Sequence, residues 1–184
     1  GKSENKFGVN NKAFYELINY CKKSKNIELQ CLSVHIGSQI LDHKPYEKML
    51  KVVSTIINKS NFKFKFVDLG GGMGIAYNDK IKKLNYKKYN IAIKKFLKKH
   101  NTKIIFEPGR SIIGNTGILI SRIIYIKDGG IKKFIILDAA MNDLMRPALY
   151  GAVHKILPVK KSNNISRNIY EFVGPICEST DKFV

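Results

Sequence analysis

The sequence predicts a parallel α/β region followed by a mostly β region, with the change near Asn115. Three observations predict it. First, His35-Ile36-Gly37-Ser38-Gln39, Gly70-Gly71-Gly72-Met73-Gly74 and Glu107-Pro108-Gly109-Arg110 each follow a run that reads as a strand. Second, these motifs recur at the repeat of a βα unit, which takes about 30 residues or more. His35 and Gly72 are 37 positions apart, and Gly72 and Glu107 are 35 apart. That spacing puts the motifs on neighbouring strands at one edge of a parallel sheet, the C-terminal edge where barrels of βα units carry their sites. Third, amphipathic helix patterns stop after Gly114 and β-branched runs take over.

Lys6-Phe7-Gly8 is expected to end a first strand, and Asn11 to Lys23 to form the helix after it. Leu29 to His35 reads as a buried strand. Its helix is expected over Pro45 to Lys59, with Asp42 as cap, Pro45 in the first turn and an apolar face of Met49, Leu50, Val53, Ile56 and Ile57. Phe62 to Leu69 alternates and then turns apolar, as a strand does. Tyr86 to His100 carries Tyr89, Ile93, Phe96 and Leu97 on one helical side. Lys103 to Phe106 is a short strand. The resulting β-α-β-α-β-α-β order predicts parallel strands with right-handed crossovers. Beyond it, Ile118 to Lys127 and Lys133 to Leu137 are expected strands around an Asp128-Gly129-Gly130 turn, with another at Tyr170 to Val173. Lys160 to Asn168 reads as an exposed loop, and no helix is expected between Gly117 and Val184. The domains expected are 1–115 and 116–184.

With 184 residues, 44% of them hydrophobic, the chain can bury a sizeable core. No apolar run approaches the roughly 18 residues of a membrane span. Gly1-Lys2-Ser3-Glu4-Asn5-Lys6 is no signal peptide. Cys21, Cys31 and Cys177 are too few and scattered for a disulfide framework or a metal knuckle, so no metal and a cytoplasmic setting are expected. The net charge of +19 raises a nucleic-acid reading. The lysines are spread over helices, however, as in Lys94-Lys95 and Lys98-Lys99. A compositional bias on solvated faces accounts for them, and no nucleic-acid partner is expected.

Successive glycines after a strand let backbone N–H groups close around an anion, since no Cβ obstructs them. Gly70 to Gly74 fits neither a P-loop nor a dinucleotide fingerprint, and a tight structural turn is the alternative. Glu107-Pro108-Gly109-Arg110 fixes a carboxylate at a strand end, then a rigid turn, then a guanidinium. A surface ion pair is the alternative, but it leaves the Pro-Gly between them unexplained. A fixed Glu107 could pair with a pyridinium nitrogen. A lone histidine is usually structural, yet His35 is followed by Gly37 and Ser38 and could stack on a flat ring. Together the three motifs suit a ligand with a flat ring, a basic ring nitrogen and a phosphate: pyridoxal 5'-phosphate.

These motifs, with Lys6-Phe7-Gly8, Asp138 to Gly151 and Val173 to Ser179, resemble the fold-type III pyridoxal-phosphate decarboxylases in kind, order and interval. The resemblance implies an alanine racemase-like fold: the C-terminal half of a (β/α)8 TIM barrel, then the start of a C-terminal β domain. It implies that Glu107 keeps the pyridine nitrogen protonated and that His35 stacks on the ring. Gly72, Ser38 and the Glu107, Pro108, Gly109, Arg110 turn would hold the phosphate. Arg110, Arg146, Tyr150 and Glu178 would bind substrate, Glu178 through a distal amine. Cys177 would protonate the α-carbon after CO2 leaves, in a site shared across a homodimer. Cys21 and Cys31 match no motif and are expected to be core residues.

The implied reaction is that of a carboxy-lyase taking meso-2,6-diaminopimelate to L-lysine. A sister activity on ornithine, arginine or carboxynorspermidine is the nearest rival. A non-catalytic pyridoxal-phosphate carrier and a basic nucleic-acid-binding module are rivals of other classes. The family's Schiff-base lysine and C-terminal tyrosine are expected outside this chain, so the segment alone is expected to be inactive. Its four barrel strands cannot close an eight-stranded barrel.

Overall fold

The computed structural model describes residues 6–160 and 168–184. They divide into two compact units, Gly1–Ala76 with Lys82–Gly117, and Tyr77–Ile81 with Ile118–Val184. Nearly all of the loop expected over Lys160 to Asn168 lies outside the described residues.

The first unit runs α1 (Asn11–Lys23), β1 (Cys31–Ser33), α2 (Lys44–Ser60), β2 (Phe66–Asp68), α3 (Tyr86–His100), β3 (Lys103–Ile105) and α4 (Arg110–Ile113). The strands pair in parallel in the order β1-β2-β3, with Leu32, Val67 and Ile104 in register. Side chains alternate across a strand, so these three share one face, the face that joins the core with α2 and α3. Tyr46, Met49, Leu50 and Val53 of α2 meet Tyr89, Ile93 and Phe96 of α3 in that core. The Tyr46 and Tyr89 rings lie 4.4 Å apart. Cys31, Ser33, Phe66, Asp68, Lys103 and Ile105 alternate onto the opposite face.

Helix ends follow their local chemistry. Asn10 and Asn85 cap α1 and α3 by accepting from the N–H groups of Ala13 and Lys88 at 2.9 and 3.0 Å. Asn61 and Asn101 close α2 and α3 in the left-handed region, with φ of 45° and 41°, which asparagine tolerates better than most residues.

Several expectations are corrected. Lys6-Phe7-Gly8 is a bend rather than a strand, with Gly8 at φ 76° and Phe7 exposed; it makes no ladder. The first unit therefore contributes three parallel strands among the described residues, not four. The N-cap of α2 is His43, which makes no capping bond. Asp42 instead accepts from the Lys44 N–H at 3.1 Å, a bond that closes a local turn. The strands are shorter than expected because pairing in register covers three residues of each. The flanks continue as single ties, Phe66 N–H to Gln30 O and Val34 N–H to Asp68 O. Cys21 and Cys31, expected in the core, are only half-buried.

In the second unit β4 (Ile123–Asp128), β5 (Lys133–Leu137) and β6 (Tyr170–Val173) form one sheet in that order. β4 is antiparallel to β5, and β6 is parallel to it. The expected turn joins β4 to β5, with Gly130 at φ 80° and its N–H on Asp128 Oδ1 at 3.0 Å. The strand expected from Ile118 begins at Ile123. A helix that was not expected, α5 (Arg146–Tyr150), follows β5. Pro147 lies in its first turn and Gly151 closes it at φ 58°, the asymmetry of proline at the start and glycine past the end. Tyr77 packs edge-on against His154 and Asp79 pairs with Lys155, which attaches 77–81 to this unit.

Two outcomes test this account. Tyr46→Ala should cost about 3–5 kcal/mol of folding free energy, because Tyr46 is wholly buried, whereas Val52→Ala on the same helix, half exposed, should stay within about 0.5 kcal/mol. Urea unfolding followed by circular dichroism compares them. His100 Nε2 lies 2.7 Å from Ser54 Oγ, and burial, with the Lys99 ammonium beside it, holds its imidazole below the ordinary value. The unfolded chain then binds more protons than the folded one between the two pKa values, so stability rises with pH there and levels off above about 6.5. His100→Gln should flatten that slope in unfolding measured from pH 5 to 8.

Candidate functional site

The turn after β2 is built on close backbone approach. A Cβ on Gly70 would fall 2.8 Å from His35 Nδ1 and from Val34 O. On Gly71 it would fall 2.2 Å from Glu107 O, and on Gly72 2.4 Å from Gly37 O. Gly70 and Gly72 also sit at φ of 62° and 84°, where a side chain is strained. The ends of all three strands therefore converge on this turn, and the structure brings together His35, Gly72 and Glu107 as their spacing predicts.

The turn's hydrogen bonds engage the Gly70 and Gly74 N–H groups but, among the described residues, not those of Gly71, Gly72 and Met73. Gly70 O accepts from Glu107 N–H at 2.9 Å and Gly72 O from Ile40 N–H at 2.9 Å; Gly71 O accepts from the buried Tyr46 hydroxyl at 3.4 Å. The Gly71 and Gly72 N–H groups meet no acceptor among the described residues. Beneath the turn, buried Asp68 accepts from Gly70 N–H at 2.8 Å on Oδ1 and from the Ser33 hydroxyl at 3.3 Å on Oδ2. Cys31 shares this sheet face. Burial, then the Asp68 and Glu107 carboxylates, push its thiol up, against a backbone hydrogen bond that pulls it down.

His35, Ser38, Glu107, Pro108 and Gly109 are exposed, available to a ligand. A Cβ on Gly109 would meet open space, and this residue opens α4, a turn of helix that the Glu107 to Arg110 reading did not include. Arg110 Nη1 donates to Gln39 Oε1 at 3.0 Å, and its stem packs on Gly114.

Arg146, Tyr150, Cys177 and Glu178 belong to the second unit. α5 sets the Arg146 guanidinium over the Tyr150 ring, 5.4 Å from its centroid. Arg146 Nε is buried with no partner among the described residues. Cys177 and Glu178 are exposed on a loop gathered around buried Asp181, which is 3% exposed. Asp181 accepts from Met141 N–H at 2.6 Å and Ile176 N–H at 2.8 Å, and its own N–H donates to Glu178 O. Glu178 Oε1 accepts from Thr180 N–H and from the Ser179 and Thr180 hydroxyls. The Thr180 N–H above all, then the two hydroxyls, holds its carboxyl below the usual range. Sequence reasoning assigned no role to Gln39, Tyr46, Asp68 or Asp181. Gln39 closes the first motif and Asp68 stands two residues before the second, and that proximity was the available signal.

The model of the pyridoxal-binding domain of pyridoxal-dependent decarboxylases matches residues 1–114. The diaminopimelate decarboxylase of Aquifex aeolicus is 43% identical over 98% of this chain and 44% of its own length. That of Helicobacter pylori is 38% identical over the whole chain and 46% of its own length. The crystal structure of diaminopimelate decarboxylase from Helicobacter pylori complexed with L-lysine superposes over all of the chain with a TM-score of 0.90 at 37% identity, covering 46% of that chain. The diaminopimelate decarboxylase of M. jannaschii in complex with L-lysine gives 0.90 at 30% identity, covering 44% of that chain. A lysine/ornithine decarboxylase from Vibrio vulnificus, at 19% identity and a TM-score of 0.83, shares the fold. The chain thus spans at most half the length of these relatives. Because the family model takes in most of the chain and all three strand-end motifs fall within its span, the chain belongs to the pyridoxal-dependent decarboxylases.

Proposed function

We propose that this chain is part of a diaminopimelate decarboxylase, a carboxy-lyase converting meso-2,6-diaminopimelate to L-lysine and CO2 with pyridoxal phosphate. In this reading the first unit is the C-terminal half of a (β/α)8 barrel and the second begins a β domain, the two dividing near Asn115. The whole enzyme is a cytoplasmic homodimer with shared sites, and no described helix is long and apolar enough to cross a membrane. One observation carries the cofactor assignment: the Gly70, Gly71 and Gly72 carbonyls are engaged by protein while the Gly71 and Gly72 N–H groups are not. A phosphate supplies the acceptors such a turn is missing. The likeness to relatives named for diaminopimelate supports the substrate assignment.

The residues present fit the cofactor. Gly71 and Gly72, with the open backbone of Gly109, would take its phosphate, helped by Ser38 and Arg110. His35 would lie on the ring, and the Glu107 carboxylate would hold a proton on the ring nitrogen. Bound pyridoxal phosphate supplies the electron sink for the bond that loses CO2. The chain's own residues do the rest. Glu107 is fixed by its N–H on Gly70 O, so its carboxylate stays where a ring nitrogen can meet it. Arg146 and Tyr150 orient the distal carboxylate, since a planar guanidinium matches two oxygens at once. Glu178, kept ionised by its local N–H and hydroxyl donors, receives the distal ammonium through an oxygen its loop leaves unused. Cys177 delivers the proton to the α-carbon.

Assays of the enzyme containing this segment, with CO2 release measured on several amino acids, test the reading. Turnover of meso-diaminopimelate should exceed that of ornithine or arginine by about a hundredfold or more, because those substrates leave Arg146 unpaired. Preferential turnover of either rival would overturn the assignment.

Two variants test the roles. Glu107→Ala should lower kcat by at least about a hundredfold, and retained turnover would remove it from the ring nitrogen. Cys177→Ala should lower kcat by about 10²–10⁴-fold while KM changes little.

A further inference from the structure

Gln39 stands at φ 59°, in the left-handed region that disfavours a side chain carrying a Cβ. Such strain persists where surrounding contacts over-determine the conformation, and three bonds do so here. Gln39 Nε2 donates to Ile75 O at 2.6 Å. Gln39 Oε1 accepts from Ile75 N–H at 3.3 Å and from Arg110 Nη1 at 3.0 Å. The amide orientation is fixed by chemistry, because a guanidinium can only donate and a carbonyl can only accept. One side chain from the end of β1 thus clasps the chain beyond β2 and the guanidinium beyond β3.

The last glycine of the turn serves this clasp. A Cβ on Gly74 would fall 3.0 Å from Gln39 Oε1 and 2.9 Å from the Gln39 carbonyl carbon. Gly114 stands against Arg110 and Ile75 on the other side, where a Cβ would fall 2.6 Å from Arg110 O, 2.7 Å from Ile75 Cδ1 and 3.2 Å from Arg110 Cγ. Arg110 is therefore held at its head by Gln39 and has room for its stem at Gly114.

We propose that Gln39 is a positioning residue that sets the direction of the Arg110 guanidinium toward its anionic ligand. This rests on the reading that Arg110 binds the phosphate of the cofactor or a carboxylate of the substrate. A free arginine side chain samples many rotamers. Anchoring one nitrogen fixes the plane of the fork, which is what anion recognition by a planar guanidinium needs.

The test uses the full decarboxylase, in apo form for cofactor titration and loaded for kinetics. Two constants are read: the Kd of pyridoxal phosphate and the KM of meso-diaminopimelate. Arg110→Ala comes first, and the constant it raises identifies the anion that Arg110 binds. Gln39→Gly should raise the same constant by about tenfold, the scale of one hydrogen bond to a charged group, with kcat altered far less. Glycine keeps φ of 59° accessible, so the loop path is retained. Gln39→Asn should behave like Gln39→Gly, since asparagine also tolerates that φ but falls one methylene short of Arg110.

Added to Arg110→Ala, the Gln39→Gly change should have almost no further effect on that constant. A merely structural Gln39 would add its full effect in both backgrounds, and that result would overturn the proposal, as would a Gln39→Gly enzyme with both constants unchanged. If Arg110→Ala moves neither constant, it is the role of Arg110 that is overturned.

Discussion

Four of the five positions from Gly70 to Gly74 cannot carry a side chain without meeting a neighbouring strand end or its loop. This constraint organises the first unit. Parallel strands here pair in register over only three residues, too few to fix where their ends go. The turn does that work through contact. Its backbone touches the His35 segment on one side and the Glu107 segment on the other, so both chemical groups take their places from the same five residues. Any Cβ would have to push a strand end away, and the separation of His35 from Glu107 would change with it.

The same geometry sorts the turn's polar groups. Carbonyls face protein donors, including a hydroxyl from the helix layer, while two successive amides do not. Two successive amides without a protein acceptor suit an anion placed against them. The glycines thereby serve two ends at once: they permit the close packing of the strand ends, and they leave N–H groups without steric cover. Gly74 belongs to the first purpose alone, since a Cβ there would meet Gln39 and Leu41 and its N–H already donates to Ile40 O.

Helices were the most legible part of the chain. α1 and α3 occupy the residues expected of them, α3 on the apolar stripe of Tyr89, Ile93, Phe96 and Leu97, and the Asn10 and Asn85 caps found in the structure agree with those bounds. α5 was missed although Pro147 and Gly151 mark its ends; five residues give too little periodicity to outweigh the β-branched runs around it. The motif spacing correctly anticipated convergence at one sheet edge, since a βα repeat constrains where strand ends lie. Gln39, Asp68 and Asp181 were not legible as site residues. Their importance arises from one hydrogen-bonding partner or another that is distant in sequence: Arg110 lies 71 positions from Gln39, and Met141 lies 40 from Asp181. Composition and periodicity carry no record of such pairs.

Asp181 shows how the second unit solves a similar problem by other means. Its loop carries two exposed groups, Cys177 and Glu178, between the end of β6 and the bridge from Val173 to Lys182. A carboxylate buried among backbone N–H donors supplies the anchor, and Gly174 must lack a Cβ because that atom would sit 2.3 Å from Asp181 Oδ2. In both units, then, a buried acceptor holds the backbone from below while the groups with chemistry stay in solvent. Buried Asp68 takes the Gly70 N–H as Asp181 takes that of Ile176. The oxygens of each carboxylate are occupied by donors, the Gly70 N–H and Ser33 hydroxyl on Asp68 and the Met141 and Ile176 N–H groups on Asp181. Rigid backbone beneath an accessible side chain is what a site requires when its ligand is polar and its reacting groups must not drift.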